Sequence, residues 1–283
     1  MATSVSDIDS VPDAASAAPT PDAARPSLAQ RALTELRFLL GMGAVVLAFI
    51  TTVWGRYYIP SESMQPTLEV GDHIYASKFA YGWSRHSLPF GLHELPLPSG
   101  RLMGSLPERG DIAVFRNPNN GLVMIKRVIG LPGDTVQMVG GAPVVNGTPI
   151  PRAFQTELLY RAHDPARSVR RVSEYVETLT DTGRAYPVWE VSDSALLDDT
   201  PPYAVPQGHV FVMGDNRENS TDSRIGMTLP DGRAIERPSE FGPGFVPVDN
   251  LIGRADRLLF SVNRCNRDED LRCPARGRAL GRL

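Results

Sequence analysis

Metal-type cysteine pairs are missing from this chain, whose only two cysteines, Cys265 and Cys273, lie close together near its C-terminal end. They do not form a Cys-x-x-Cys and no histidine is near them, so a structural zinc site has no ligand set. Charge of one sign is missing as well. With 29 Lys and Arg against 32 Asp and Glu, intermixed, the net charge is -3, which excludes the basic footprint of a nucleic-acid-binding protein. No internal repeat is evident. Histidine is scarce: His73, His86, His93, His163 and His209 stand in no motif with an orienting carboxylate, so a Ser-His-Asp triad has no visible seat.

One long apolar run is present. From Phe38 to Gly55, 18 residues carry no charge, a helix of ~27 Å at ~1.5 Å per residue, just enough for a ~30 Å bilayer core. Trp54, Tyr57 and Tyr58 fall where an aromatic belt lies, with Arg37 and Arg56 at the two interfaces. A buried core helix and a cleaved signal peptide satisfy the same apolarity. The 37 residues before the run, and the lack of an Ala-x-Ala site after it, favour an uncleaved anchor, assigned to 34–55. Arg25, Arg31 and Arg37 precede the apolar run, whereas Glu62, Glu69 and Asp72 follow Arg56. The positive-inside bias then puts the N-terminus in the cytoplasm and the rest outside a single-pass inner (plasma) membrane anchor. Residues 1–30, rich in Ala, Ser, Pro and Asp up to residue 27, have too little apolar content to order.

After the anchor the pattern is strand and turn, and 25 Gly with 25 Pro spread along the chain point to a mainly β, antiparallel domain. Asp111–Phe115 and Val123–Ile129 flank the turn-forming Asn117-Pro118-Asn119-Asn120-Gly121 and read as a hairpin. Asn146-Gly147 signals a type I′ turn, and His209–Met213 is a strand ending in Gly214-Asp215-Asn216. The expected organisation is a β domain from 56–134 and 205–262, an inserted β-rich subdomain 135–204, and a C-terminal tail 263–283. The tail has six arginines from Arg264 onward and is expected to be solvated by default, with contact to anionic lipid as the alternative. The Pro- and Gly-rich segment Tyr81–Pro107 reads as a loop packed on the domain or dipping into the bilayer surface. In an oxidising compartment Cys265 and Cys273 can close a short loop worth ~2.5 kcal/mol; two free thiols are the alternative.

Two residues carry possible chemistry. Ser63 follows the anchor closely, and Lys126 is the lone lysine of Val123-Met124-Ile125-Lys126-Arg127-Val128-Ile129. A serine hydroxyl needs a base. Lysine can be that base only when neutral, against a reference pKa of ~10.4, and burial among apolar groups is what lowers it. On a strand of period 2, Lys126 shares a face with Met124 and Val128. Spacing alone leaves two readings open, a buried base or a surface lysine beside Arg127.

Four segments resolve the choice by resemblance. Ser63-Met64-x-Pro66-Thr67-Leu68, Arg109-Gly110-Asp111-Ile112, Ile125-Lys126-Arg127-Val128-Ile129-Gly130-Leu131-Pro132-Gly133-Asp134 and Gly214-Asp215-Asn216-Arg217-Glu218-Asn219-Ser220-x-Asp222-Ser223-Arg224 resemble, in order and spacing, the boxes of bacterial type I signal peptidases (leader peptidases, peptidase family S26). The likeness runs from about Tyr57 to Arg257. It implies a membrane-anchored serine endopeptidase without metal or cofactor, with Ser63 as nucleophile and Lys126 as general base. It further implies that Ser61 completes an oxyanion hole with the Ser63 N–H, that Ser220 orients the lysine, and that Asp222 and Arg224 are a supporting ion pair. The implied substrates are exported preproteins, cut after Ala-x-Ala signals. Ile59, Pro60, Met64, Leu68, Met124 and Ile125 match one pocket wall, and Tyr57, Ile74 and Val114 its neighbour. Met124 stands where some members have tyrosine, and Glu218 replaces the usual aspartate. The implied partners are the bilayer, preprotein signal peptides and the secretion translocon, with no nucleic acid. A peptidase of conjugative pilus assembly and a non-enzymatic anchored β domain that binds peptides are the alternatives; a LexA-like self-cleaving repressor lacks such an anchor.

Overall fold

A computed structural model describes residues 27–88, 91–96, 98–191, 195–225, 242–263, 265, 271–275 and 277–283. The segment expected to be disordered lies outside them up to residue 26, as do Arg264, Arg267 and Arg276 of the C-terminal arginines.

Helix α1 (Leu28–Thr52) starts before the expected anchor and stops short of its end. Its start is a capping box: the Gln30 N–H donates to Ser27 Oγ, and the Ser27 N–H to Gln30 Oε1, at 3.2 and 2.9 Å. Leu28–Arg37 then contains no Gly or Pro to interrupt the helix. At the other end Thr51-Thr52-Val53 is β-branched and Gly55 follows, so the backbone turns extended and Trp54–Tyr58 becomes strand β1. Phe38, Leu39, Leu40 and Val45 are more than half exposed. Apolar side chains left open along a helix of this length suit a lipid environment and remove the buried-core reading.

The strands among the described residues are β1, β2 (Asp72–Ser77), β3 (Ile112–Arg116), β4 (Val123–Gly130), β5 (Thr135–Val139), β6 (Ala142–Val145), β7 (Thr148–Pro149), β8 (Arg152–Arg161), β9 (Val169–Thr178), β10 (Ala185–Glu190), β11 (Tyr203–Ala204), β12 (His209–Met213), β13 (Val246–Pro247) and β14 (Leu251–Ser261). A seven-stranded antiparallel sheet runs β1-β2-β14-β3-β4-β12-β13. A four-stranded sheet, β11-β5-β6-β7, and a three-stranded one, β10-β9-β8, are built from residues 135–204. The fold is mainly β and antiparallel, with one apolar helix at its N-terminal side. The expected hairpin is β3–β4, in the register Ala113 opposite Lys126. The Asn146-Gly147 turn closes β6 on β7, with both φ angles positive at 52° and 78°.

The core follows the sheet order. Ile59, Met64, Leu68, Ile74 and Val114 cluster beside the start of the sheet, Val128, Val210 and Val212 near its centre, and Ile129, Val136, Val188 and Phe211 beneath the insertion. Arg101 packs the 81–107 segment onto the domain, donating to the carbonyls of Tyr81, Gly82, Val248 and Leu251 at 2.7–2.8 Å.

The expectation of a solvated C-terminal tail is corrected. Arg282 and Ala279 bridge antiparallel to Arg257 and Phe260 of β14, and the Leu258 N–H donates to the Gly281 carbonyl at 2.9 Å. Unpaired strand edge and chain end satisfy each other, which a run of arginines in the sequence does not reveal. Cys265 and Cys273 are disulfide-bonded, Cα to Cα 5.7 Å.

Candidate active site

Strand β4 lies inside the sheet, paired with β3 on one edge and β12 on the other. Both of its faces are covered, and its second half is buried throughout. Lys126 is only 3 % exposed, and its Nζ lies 2.5 Å from Ser63 Oγ, itself 7 % exposed. Ser61 Oγ is 3.2 Å from Ser63 Oγ on the open side. Residues 63 positions apart in sequence thus form one polar contact inside an apolar wall.

The loop carrying Ser63 is held by the turn that follows β12. The Asn216 N–H donates to the Ser63 carbonyl at 3.1 Å, and Asn216 Nδ2 to the Glu62 carbonyl at 3.2 Å. Gly214 makes this approach possible: a methyl there would collide with Ser220 Oγ and the Ser63 carbonyl oxygen. Ser220 is wholly buried against that glycine. Asp222 accepts the Gly214 N–H at 3.0 Å and is paired to Arg224 through two contacts of 2.9 Å. Burial alone would push the Asp222 carboxyl up, but the Arg224 charge and these hydrogen bonds hold it below its usual range.

A second buried network lies on the other face of β4, and sequence reasoning assigned it no role. Arg127 donates to Asp215 at 2.8 and 2.7 Å and to the Gly110 carbonyl at 2.8 Å, and its guanidinium lies 4.0 Å from the Tyr186 ring centre. Thr67 Oγ1 donates to Asp215 at 2.5 Å, which fastens the far end of the nucleophile loop. Glu177 accepts from both Tyr186 and Arg217. Arg127, Asp215 and Arg217 were inside the quoted boxes, whereas Tyr186 and Glu177 lie in the insertion, where no short motif announces them.

Glu62, next to the nucleophile, also ties to the insertion. Its carboxylate accepts from the His163 N–H at 2.6 Å and from Asn219 Nδ2 at 2.7 Å. Glu218 accepts the Val191 N–H at 2.8 Å, so the residue that departs from the usual aspartate spans between the turn and β10.

A cleft of about 120 Å³ opens beside Ser63 and Lys126, walled by Tyr57, Ile59, Pro60, Val114, Met124 and Ile125, with Tyr58 and Val123. Burial pushes the Tyr57 hydroxyl up to about 12, against a smaller opposing effect of Arg116. Met64, Leu68 and Ile74, expected on the same walls, are fully buried behind them in the core. They shape the wall without surfacing in the cleft.

Residues 33–260 match the family model described as signal peptidase, peptidase S26. Signal peptidase I of Rickettsia typhi is 35 % identical over 235 residues, covering 80 % of this chain and 80 % of its own. The Rickettsia akari protein of the same name is 36 % identical over 214 residues, covering 73 % and 71 %. A solved signal peptidase I from Enterococcus faecalis is 26 % identical and covers 52 % of this chain and 95 % of its own, with a TM-score of 0.28.

Proposed function

Because the chain belongs to the signal peptidase family, peptidase S26, we propose that it is a membrane-anchored Ser/Lys endopeptidase that removes N-terminal signal peptides from exported preproteins. The observation that carries the reading is the 2.5 Å contact between Lys126 Nζ and Ser63 Oγ, with both residues buried beside an open apolar cleft.

Ser63 Oγ attacks the scissile carbonyl while its proton passes to the Lys126 amine. The Ser63 N–H and the Ser61 hydroxyl receive the developing oxyanion, a type of donor whose loss typically raises a barrier by ~3 kcal/mol. Collapse expels the new N-terminal amine, which takes the proton back from Lys126 and leaves an acyl-serine. Water, deprotonated by the now neutral Lys126 amine, then hydrolyses the ester, and Lys126 returns that proton to Ser63 Oγ as it leaves. Ser220 packs against Gly214 with its hydroxyl buried and hydrogen-bonded to no described residue; orienting the lysine is the role that the resemblance implies for it, and Asp222 with Arg224 fixes the turn that carries it. Lys126 must be neutral to take the first proton, so turnover rises with pH until that amine is deprotonated.

Ala-x-Ala signals are the substrates that the family resemblance implies, received by a cleft with Met124 and Ile125 on one wall and Val114 on the other. From Gly55 to Ser63 an extended chain reaches at most ~26 Å, at ~3.3 Å per residue. This range holds the nucleophile near the membrane surface, where a signal peptide and the secretion translocon would present the cut site. Arg25, Arg31 and Arg37, ahead of the apolar run, argue for a cytoplasmic N-terminus and a catalytic domain on the outer face of the plasma membrane. The test is cleavage of a preprotein by detergent-solubilised full-length enzyme. Ser63→Ala and Lys126→Ala should each abolish it, and undiminished cleavage by either variant would refute the mechanism.

A further inference from the structure

Tyr57 and Val123 belong to two hollows at once, the catalytic cleft and a larger groove of about 530 Å³ on their other side. Phe49 and Ile50, in the last turn of α1, line that groove together with Trp54. Its charged and imidazole lining is Arg56, Lys78, His86, His93 and Arg116, with the Tyr57 and Tyr75 rings between them. No aspartate or glutamate lines it among the described residues. Glu94, 3.9 Å from His93, stands outside with its side chain 82 % exposed.

The wall of the groove holds more donors than acceptors. His86 Nε2 accepts from Arg85 Nε at 3.4 Å, so the neutral ring keeps its proton on Nδ1. That nitrogen is buried and has no partner among the described residues, and the same is true of Arg116 Nε. Unpaired buried donors of this kind are unfavourable until an acceptor arrives. The Lys78 amine donates to the carbonyls of Ile50, at 3.1 Å, and Ser87, at 2.6 Å, which leaves one of its three N–H bonds for a further acceptor. Burial first, then the charges of Arg85 and Arg116, pushes the His86 imidazole down to about 4. Burial, reinforced by these neighbouring charges, therefore keeps a further proton off the ring.

We propose that this groove binds the phosphate of an anionic phospholipid headgroup, held by Arg56 and Arg116, with the glycerol and first methylenes against Trp54 and the end of α1. Cations meeting apolar surface at the end of an apolar, membrane-length helix match a ligand with a phosphate at one end and acyl chains at the other. Free phosphate would satisfy the cations but leave uncovered the exposed surface of Phe49 and Trp54, which pack, among the described rings, only on each other's edge and, for Trp54, on Tyr75. Occupancy also supports Tyr57 and Val123 from behind, so the lipid reaches the catalytic cleft through the two side chains both hollows share.

Full-length protein in a neutral detergent, titrated with phosphatidylglycerol or with phosphatidylcholine of the same acyl chains, tests this. Lipid retention is read by native mass spectrometry and His86 by its imidazole NMR titration. Phosphatidylglycerol should be retained roughly tenfold or more in preference to phosphatidylcholine, as expected for a net negative headgroup near two guanidinium groups. It should also move the His86 titration to higher pH. Arg56→Gln with Arg116→Gln should remove the preference, Arg116→Lys should keep most of it, and Arg171→Gln, on the 72 % exposed Arg171 side chain of β9, should leave it intact. Equal retention of the two lipids would overturn the proposal, as would a preference unchanged in the double variant. Should the double variant fail to fold, as judged by near-ultraviolet circular dichroism, the wild-type lipid preference and His86 shift decide alone. Inorganic phosphate that displaces phosphatidylglycerol and shifts His86 equally well would make this a free-anion site and refute the lipid assignment.

Discussion

The nucleophile loop, Ser63 to Asp72, is held from two sides by different means. On the near side, short contiguous motifs meet it: Lys126 on β4, and Gly214, Asn216 and Ser220 in the turn after β12. On the far side, the C-terminal segment supplies two arginines. Arg272 pairs with Glu69, while Arg278 lies 3.3 Å from Asp72 and donates to the Thr67 carbonyl at 3.0 Å. Glu69 and Asp72 are completely buried, whereas Arg272 and Arg278 keep about a fifth of their side-chain surface. The near side places reacting atoms; the far side neutralises acids that the fold has buried. Chemistry and stability should therefore separate when each side is cut.

The largest effect belongs to the near side. Lys126→Ala should lower kcat by roughly 10^4-fold with little change in Tm, and the Ser63→Ala/Lys126→Ala double variant should be no slower than either single one, because the two act as a unit. On the far side, removing the disulfide with Cys265→Ala/Cys273→Ala should lower stability by up to ~2.5 kcal/mol, the chain-entropy value for so short a loop. Urea midpoints would register that loss. Arg272→Ala leaves Glu69 with Gln65, at 2.6 Å, and the more distant Arg278, at 3.8 Å. A buried pair that loses one partner costs ~3–5 kcal/mol. The partial exposure of Arg272 and these remaining partners reduce the expected loss to about 1–2 kcal/mol. In both far-side variants kcat, measured well below Tm, should stay within about twofold of wild type, since no reacting atom moves. A tenfold fall in kcat with Tm unchanged would erase the distinction between the two sides.

Much of the near side was legible because strand register converts short motifs into contacts. The β3–β4 hairpin, the Asn146-Gly147 turn and the His209–Met213 strand were all readable from turn residues and alternation. The burial of Lys126 was not. Alternation assumes one wet face, so of the adjacent pair Lys126 and Arg127 one should be outside. Here both faces of β4 are covered: Ser63 meets Lys126, while Tyr186 and Asp215 meet Arg127. Only the resemblance of the boxes separated a buried base from a surface lysine. The far side left no such trace. Arg272 and Arg278 look like solvated charge until the chain end pairs with β14 and brings them onto Glu69 and Asp72, more than 200 residues earlier in the sequence. The end of α1 was misplaced for a related reason. Hydropathy continues through Trp54, but hydrogen bonding does not, because β2 takes Trp54–Tyr58 as a strand partner.

The smallest expected effect sharpens the comparison from within the near side, where Asp222 is a stabilising residue among catalytic ones. Its folded pKa lies below the usual value because Arg224 and the Gly214 N–H outweigh the opposing effect of burial. A carboxyl depressed on folding contributes stability that is fully present above its unfolded pKa of ~3.9 and is lost as pH falls through the folded value. Asp222→Asn cannot show this dependence. Its urea midpoint should lie below that of wild type from pH 5 to 7, and the gap should narrow below about pH 4 as the wild type loses what the variant never had. Equal midpoints at pH 7 would mean that Asp222 adds nothing through its charge. The pair with Arg224 would then matter only for the geometry of the turn, and the difference would appear in kcat instead.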